Sequence, residues 1–523
     1  MGIDYLLKGG SVIDGSGTEI RQADIAVEGD RIAAVGDLSG IRADRTLSIR
    51  GLIACPGFID VHAHSEFTLL ADGRAEGKVC QGITTEINGN CGMSAAPLYG
   101  PALEQREKDL SDLHIKERWN TFEEYFALLE KRKFAVNFLT LAGHGNLRAS
   151  VAGYSDRPLT KEESDKAARL LNEAMDAGAK GLSTGLIYPP GVYSGTPELV
   201  SLAREAARRK GVYTTHMRSE GDRLIESVEE VLRIAAGSGV HAHISHLKTS
   251  GERNWGKLAG VFEMIDEARN KGLSVTCDRY PYIASSTDLD TVLPQWAFEG
   301  GRKKEIETLR TERERLSADI LREYPDGSLW DKILISSVTL EKNKWMEGER
   351  FSSVSRKMNK TPLQCLFDLL MEEGLSVGAI FFSMNEDNLR AILRRPDIVI
   401  GSDSSARSFD GITAEGRPHP RGFGSFPRML GRYVREEKVL TLSEAVHKMT
   451  GKPAGIFHID RRGLIAEGCF ADITVFDPER IIDTADFTDP FRKPEGISHV
   501  FVNGVPVLSD GEVTGALPGR VLK

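Results

Sequence analysis

Cys91, in Gly82-Ile-Thr-Thr-Glu-Ile-Asn-Gly-Asn-Cys-Gly, and the pair His62 and His64, in Phe58-Ile-Asp-Val-His-Ala-His, have the types and spacing to do chemistry. A His-x-His pair closing an apolar run places two imidazoles on one face of a strand, because strand side chains alternate with period two. A soft thiolate arriving from the next strand suits zinc. His216, His246 and Asp403 each follow a further apolar run. Ligands of these types in this order point to metal-assisted hydrolysis.

Each residue also has an ordinary explanation. A single His is commonly a core or surface residue, a free Cys a buried thiol without a role, and an Asp in Gly-Ser-Asp-Ser a turn former. The strand-end position of all five segments favours the metal reading. Asp60 falls on the opposite face of its strand and reads as structural, and His241 and His243 read as structural or surface residues. Lys248, two beyond His246, shares its direction and is placed to reach a substrate.

The elements that would position these residues form an alternating β and α pattern, as in a parallel sheet. Strands are expected at Ile59–His64, Thr84–Asn88, Asn137–Ala142, Gly181–Thr184, Tyr213–His216, Ala242–His246, Ser274–Asp278 and Ile398–Ser402. Eight such strands are the number a closed (β/α)8 TIM-like barrel requires, and barrel sites are built at the C-terminal strand ends. Helices are expected at Lys161–Ala177, Pro197–Lys210, Arg223–Ser238 and Leu258–Lys271.

The fold class is therefore α/β, with the barrel over 58–459. The ends, 1–57 and 460–523, read as short strands and turns that meet in one small β-sandwich domain, with hairpins at Gly9-Gly10, Gly29-Asp30 and Asn503-Gly504. The stretch at about 285–395 is too long for a simple connection and suits a lid. Its first part, Arg302 to Tyr324, is a charged helical run with the composition of a solvated face.

Composition limits the alternatives. The 523 residues are 40% hydrophobic and 27% charged, with a net charge of −9, which suits a soluble globular protein and gives no support for nucleic-acid binding. The beginning lacks the basic and apolar parts of a secretory signal, and no apolar run approaches the roughly 18 residues of a membrane span. The six cysteines are scattered without a paired spacing, so reduced thiols in a cytoplasmic protein are expected. The oligomeric state is left open.

On Pro56-Gly-Phe-Ile-Asp-Val-His-Ala-His, Gly89-Asn-Cys-Gly, Ile244-Ser-His-Leu-Lys, Asp278-Arg-Tyr-Pro-Tyr-Ile-Ala-Ser-Ser-Thr, Gly401-Ser-Asp-Ser and His419-Pro-Arg-Gly-Phe-Gly-Ser-Phe-Pro-Arg, the chain resembles the amidohydrolase superfamily over nearly its whole length. Within it, the resemblance is to the N-acyl-D-amino-acid deacylases. That resemblance implies a tightly bound Zn2+ on Cys91, His216 and His246. It implies a second, weaker position at His62, His64 and Asp403, with Cys91 bridging. Asp403 would be general base and then general acid. Lys248, Tyr280, Ser286 and Arg421 would hold the N-acyl amino acid, with Arg421 on its α-carboxylate, a role suited to a planar guanidinium.

The preference for D substrates is implied by the resemblance alone. No Arg or Lys stands between Tyr282 and Arg302, so a neutral or apolar substrate side chain is expected, with Tyr188, Tyr193, Trp296 and Met384 as pocket walls. A hydantoinase-like or D-dipeptide-cleaving enzyme on the same scaffold is the nearest alternative. A non-catalytic relative of hydantoinases is a more distant one, and the complete ligand set speaks against it.

Overall fold

The computed structural model describes residues 2–325 and 327–523, so Met1 of the expected β domain and Asp326 of the expected insertion lie outside the described residues. Among the described residues, parallel strands alternate with helices. The strands are β1 (Phe58–Asp60), β2 (Ile83–Asn88), β3 (Asn137–Thr140, resuming at Ala142–Gly143), β4 (Gly181–Gly185), β5 (Val212–His216), β6 (His241–Ile244), β7 (Val275–Arg279) and β8 (Ile398–Ile400).

Neighbouring strands pair in parallel from β1 to β3 and from β3 to β8, with the break in β3 at Leu141. The ring closes just past β1 and β8. Ala63 bridges Ser404, Asp403 N donates to His62 O (2.7 Å), and His64 N donates to Ser404 O (3.1 Å). The strands are short and almost wholly buried, as expected where helices cover the outside and side chains fill the inside.

The outer helices follow their sequence signals. Thr160 and Glu163 form a capping box at the start of Lys161–Ala177, whose buried face is Ala167, Leu170, Leu171 and Ala174. Thr196–Arg208, Leu224–Ser238 and Leu258–Asn270 lie within two residues of their expected bounds. Among the described residues, no helix is long and apolar enough to cross a membrane.

Both chain ends contribute to one nine-stranded sheet. Ile53–Pro56 joins the two contributions, pairing in parallel with Ile3–Val12 and antiparallel with Ile473–Phe476. Leu7, Val12, Ile25, Ile32, Ile473, Val475 and Phe501 share its core. The Gly29-Asp30 and Asn503-Gly504 turns form as expected. The hairpin expected at Gly9-Gly10 does not. Ile3–Val12 runs straight through, and Gly9 (φ +82°) marks a register shift within one strand. A glycine pair there relieves a bulge instead of making a turn.

The stretch between β7 and β8 is a folded body. Ser285–Asp288, Ile333–Ser337 and Gly378–Phe381 make a three-stranded antiparallel sheet. Helices cover it around a separate core of Leu309, Leu316, Ile320, Trp330, Phe351, Leu366 and Leu370. The charged run divides at Glu312 into Arg302–Thr311 and Arg313–Glu323. Most of the charge faces outward, Glu305 is buried, and Leu309, Leu316 and Ile320 close the inner side.

Candidate active site

The residues expected to do chemistry converge at the C-terminal mouth of the barrel, mostly on the turns just past the strands. Only His216 lies within its strand. Three of these residues have left-handed backbones: Cys91 (φ +53°), His246 (φ +37°) and Asp403 (φ +52°). Such conformations are uncommon without glycine and collect where surrounding structure holds them for function. Those at His246 and Asp403 stand where two of the expected strands overran. The chain leaves β-geometry in order to aim these side chains inward.

The Cys91 turn is packed so closely that Gly92 (φ +74°) cannot be replaced without moving backbone, since a Cβ there would sit 2.6 Å from Gly185 N. Asn90 fixes the turn from below, donating to Ile87 O (2.9 Å) and Val61 O (3.3 Å).

Three interlocking groups have ligand atoms within 4.8 Å of one another. They are His62, His64 and Cys91; Cys91, His216 and His246; and His62, His246 and Asp403. Cys91 Sγ lies 3.3 Å from His62 Nε2 and 3.6 Å from His246 Nε2. Asp403 Oδ1 lies 3.5 Å from His62 Nε2 and 3.4 Å from His64 Nε2.

The donor set fits a divalent cation. Burial pushes the Cys91 thiol up, but His62, His216 and His246 outweigh it and hold the thiol well below its ordinary value. Burial keeps His216 below the ordinary imidazole value, and both its ring nitrogens are buried without a hydrogen-bond partner. A thiolate beside a neutral imidazole with an unspent lone pair is the chemistry zinc selects. Asp403 is held well below the carboxylate range, because Arg421, His62 and His64 outweigh burial.

Carboxylates orient the imidazoles from behind. Asp278 Oδ2 accepts from His62 Nδ1 (3.2 Å) and His243 Nε2 (3.1 Å), while its Oδ1 accepts from His246 N (2.9 Å). Glu220 Oε1 lies 2.8 Å from His246 Nδ1 and also meets Lys248 Nζ. These contacts direct the opposite nitrogens, His62 Nε2 and His246 Nε2, toward Cys91.

A cavity of about 1900 Å³ opens over the cluster. Tyr188, Lys248, Ser286, Met384 and Arg421 line it beside His64, Cys91, His216, His246 and Asp403. Arg421 Nη1 is 2.8 Å from Asp403 Oδ2, and Arg421 Nη2 donates to Ser286 O (3.3 Å). Tyr188 meets Thr287 Oγ1 through its hydroxyl (3.1 Å) and packs edge-on against His216.

The matching family model is an amidohydrolase family, over residues 45–259 and 336–508. The D-aminoacylase of Alcaligenes xylosoxydans xylosoxydans is 36% identical across 99% of this chain and 97% of its own length. The N-acyl-D-glutamate deacylase of the same organism is 37% identical, covering 100% and 96%. The solved N-acyl-D-glutamate deacylase from Bordetella bronchiseptica, complexed with zinc and a phosphonate inhibitor, superposes with a TM-score of 0.84 at 35% identity, covering 100% of both chains.

The chain belongs to the amidohydrolase family.

Not every residue expected around the substrate of this amidohydrolase reaches the cavity. Tyr280 is not on the cavity wall. It lies behind Arg421, its ring between the Arg279 and Arg421 guanidiniums at 4.3 and 4.6 Å. In this structure it is a platform for Arg421. Tyr193 and Trp296 are also off the wall, and Trp296 packs under Arg315 and donates to Asp319 within the insertion. His243 is buried against Asp278, in keeping with the structural role expected of it.

Glu220 was not among the residues singled out from sequence, because it lies in a polar loop with no periodicity to mark it. Its place four residues after His216 and between two histidine-bearing strand ends was the available signal. Cations from elsewhere in the chain also reach the cavity, among them Arg106 from the helix Pro101–Asp112, Arg218 and Arg302.

Proposed function

We propose that this chain is a zinc-dependent N-acyl-D-amino-acid deacylase that hydrolyses the amide to a carboxylate and a free D-amino acid. The observation that carries the reading is Arg421 beside Asp403 at the edge of a Cys/His cluster. A carboxylate-binding guanidinium and a proton-moving carboxylate meet where a scissile amide would lie. The D preference follows the activities named for the relatives.

Cys91, His216 and His246 would hold one tightly bound zinc, and His62, His64 and Asp403, sharing Cys91, a weaker second position. Zinc bound there supplies Lewis acidity, polarising the amide carbonyl and lowering the pKa of water toward about 7. Arg421 and Lys248 receive the α-carboxylate, which fixes the amide over the cluster. Asp403 accepts a proton at Oδ from the attacking water and returns it to the amide nitrogen as the C–N bond breaks. Without that return an amine cannot leave. Tyr188 and Met384 exclude water from the side chain and acyl group.

A neutral or apolar side chain suits the cavity best. Arg106 is paired with Asp109 (2.8 Å), and Arg302 is engaged by Gly374 O and Ser376 Oγ. Asp288, Asp290 and Glu305 also line the cavity and add no positive charge to it. The six cysteines are all free and fit a reducing cytosol.

A panel of N-acetyl-D- and N-acetyl-L-amino acids, with released amine measured, tests the reading. N-acetyl-D-methionine should outrun both its L isomer and N-acetyl-D-glutamate. Hydrolysis of hydantoin rings without hydrolysis of any N-acyl amino acid would refute it.

A further inference from the structure

We infer that Lys78 is a positioning residue whose buried ammonium fixes the left-handed turn carrying Asp403 against the strand end carrying His62 and His64. The inference rests on the proposed role of Asp403 as the proton-moving group.

Lys78 stands on the short helix Glu76–Val79, outside the cavity wall, and is 0% exposed. Its Nζ donates to Asp60 Oδ2 (2.7 Å) and Ser402 Oγ (2.9 Å), and lies 3.1 Å from Ser404 O. It also pairs with Glu86 Oε1 at 2.8 Å. Ser402 and Ser404 are the residues on either side of Asp403. One ammonium therefore grips both flanks of the residue whose φ is +52°.

The other contacts tie that turn to β1. Asp60 Oδ2 accepts from Ser402 Oγ (2.5 Å), and Asp60 Oδ1 accepts from Ser402 N (2.7 Å) and His62 N (3.2 Å). Glu86 Oε1 accepts from Ser65 Oγ (3.1 Å), which itself accepts from Ala406 N (2.7 Å). β1, β2 and the turn after β8 thus share one cation directly beneath Asp403. An ammonium enclosed by two carboxylates is costly to place in an interior and has no need to sit under a catalytic turn for the barrel to close. A strained turn persists only when its surroundings over-determine it, and Lys78 supplies that constraint.

Ser402→Ala removes the hydroxyl link while leaving the ion pairs, so folding is preserved. Lys78→Met removes the cation. Both are compared with wild type and with Asp403→Asn on N-acetyl-D-methionine, alongside melting curves and the cadmium–thiolate absorption that reports Cys91. Ser402→Ala should lower kcat at least tenfold, with KM within twofold and the thiolate band unchanged. In the Asp403→Asn background, Ser402→Ala should cost nothing further, because its effect passes through Asp403.

A folded Lys78→Met should lose more kcat than Ser402→Ala. If it does not fold, Ser402→Ala and the double variant decide alone. Wild-type kcat in Ser402→Ala, or an equal additional loss in the Asp403→Asn background, overturns the inference. Full turnover by Asp403→Asn instead overturns the proposed mechanism, and the role of Lys78 falls with it.

Discussion

Arg421 Nη1 and Asp403 Oδ2 lie 2.8 Å apart, so the side chain proposed to bind the substrate carboxylate already touches the one proposed to move the proton. A substrate carboxylate arriving at Arg421 is thereby registered against Asp403 without any long-range motion. Replacing Arg421 by Met should cost about 3 kcal/mol, roughly a hundredfold in kcat/KM, for N-acyl amino acids. An N-acyl amine with no carboxylate should be a poor substrate for both proteins and show little difference between them. Equal losses on both substrates would mean that Arg421 serves Asp403 and not the carboxylate.

Asp403→Asn keeps the size of the side chain and removes its ability to carry a proton. General acid–base groups contribute on the order of 10² to 10⁴ in rate, and kcat should fall within that range. Steady-state kinetics beside metal analysis checks this, since a loss explained wholly by missing metal would assign Asp403 to binding alone.

Glu220 and Asp278 hold His246 and His62 from behind. Glu220→Gln and Asp278→Asn should each weaken metal affinity about 10- to 100-fold, the usual cost of losing an orienting partner. Competition against a chromogenic chelator measures it. Unchanged affinity in both variants would leave these carboxylates with purely structural work.

Burial, followed by Asp290, pushes Glu305 up to about 9, and burial, followed by Asp288, pushes Asp290 up to about 8; Arg302 opposes both shifts. Below about pH 3 these groups are protonated whether the chain is folded or not. Between about 3 and 9 the unfolded chain releases protons that the folded one keeps, so their contribution to stability declines as pH rises. Glu305→Gln removes part of this decline. Its melting temperature relative to wild type should rise progressively from pH 5 to pH 9, and a constant difference across that range would exclude the effect.

The metal-type residues were legible in the sequence because each follows an apolar strand. His62, His64, Cys91, His216, His246 and Asp403 all come together at the barrel mouth. The left-handed backbones at Cys91, His246 and Asp403 were not legible, since none is glycine and the strain is imposed by packing. Glu220 and Lys78 were invisible for a related reason. A polar residue in a loop or a four-residue helix acquires meaning only when distant strands close around it. Within the insertion, Leu309, Leu316 and Ile320 are too thinly spread among charges for their shared buried side to stand out.

Metal removal and restoration, followed by amine release from N-acetyl-D-methionine, probes the Cys91, His216 and His246 cluster most directly. Thorough chelation should abolish turnover, and one equivalent of zinc should restore most of it to wild type but not to Cys91→Ala. Undiminished hydrolysis in protein verified to be metal-free would be incompatible with catalysis at this cluster.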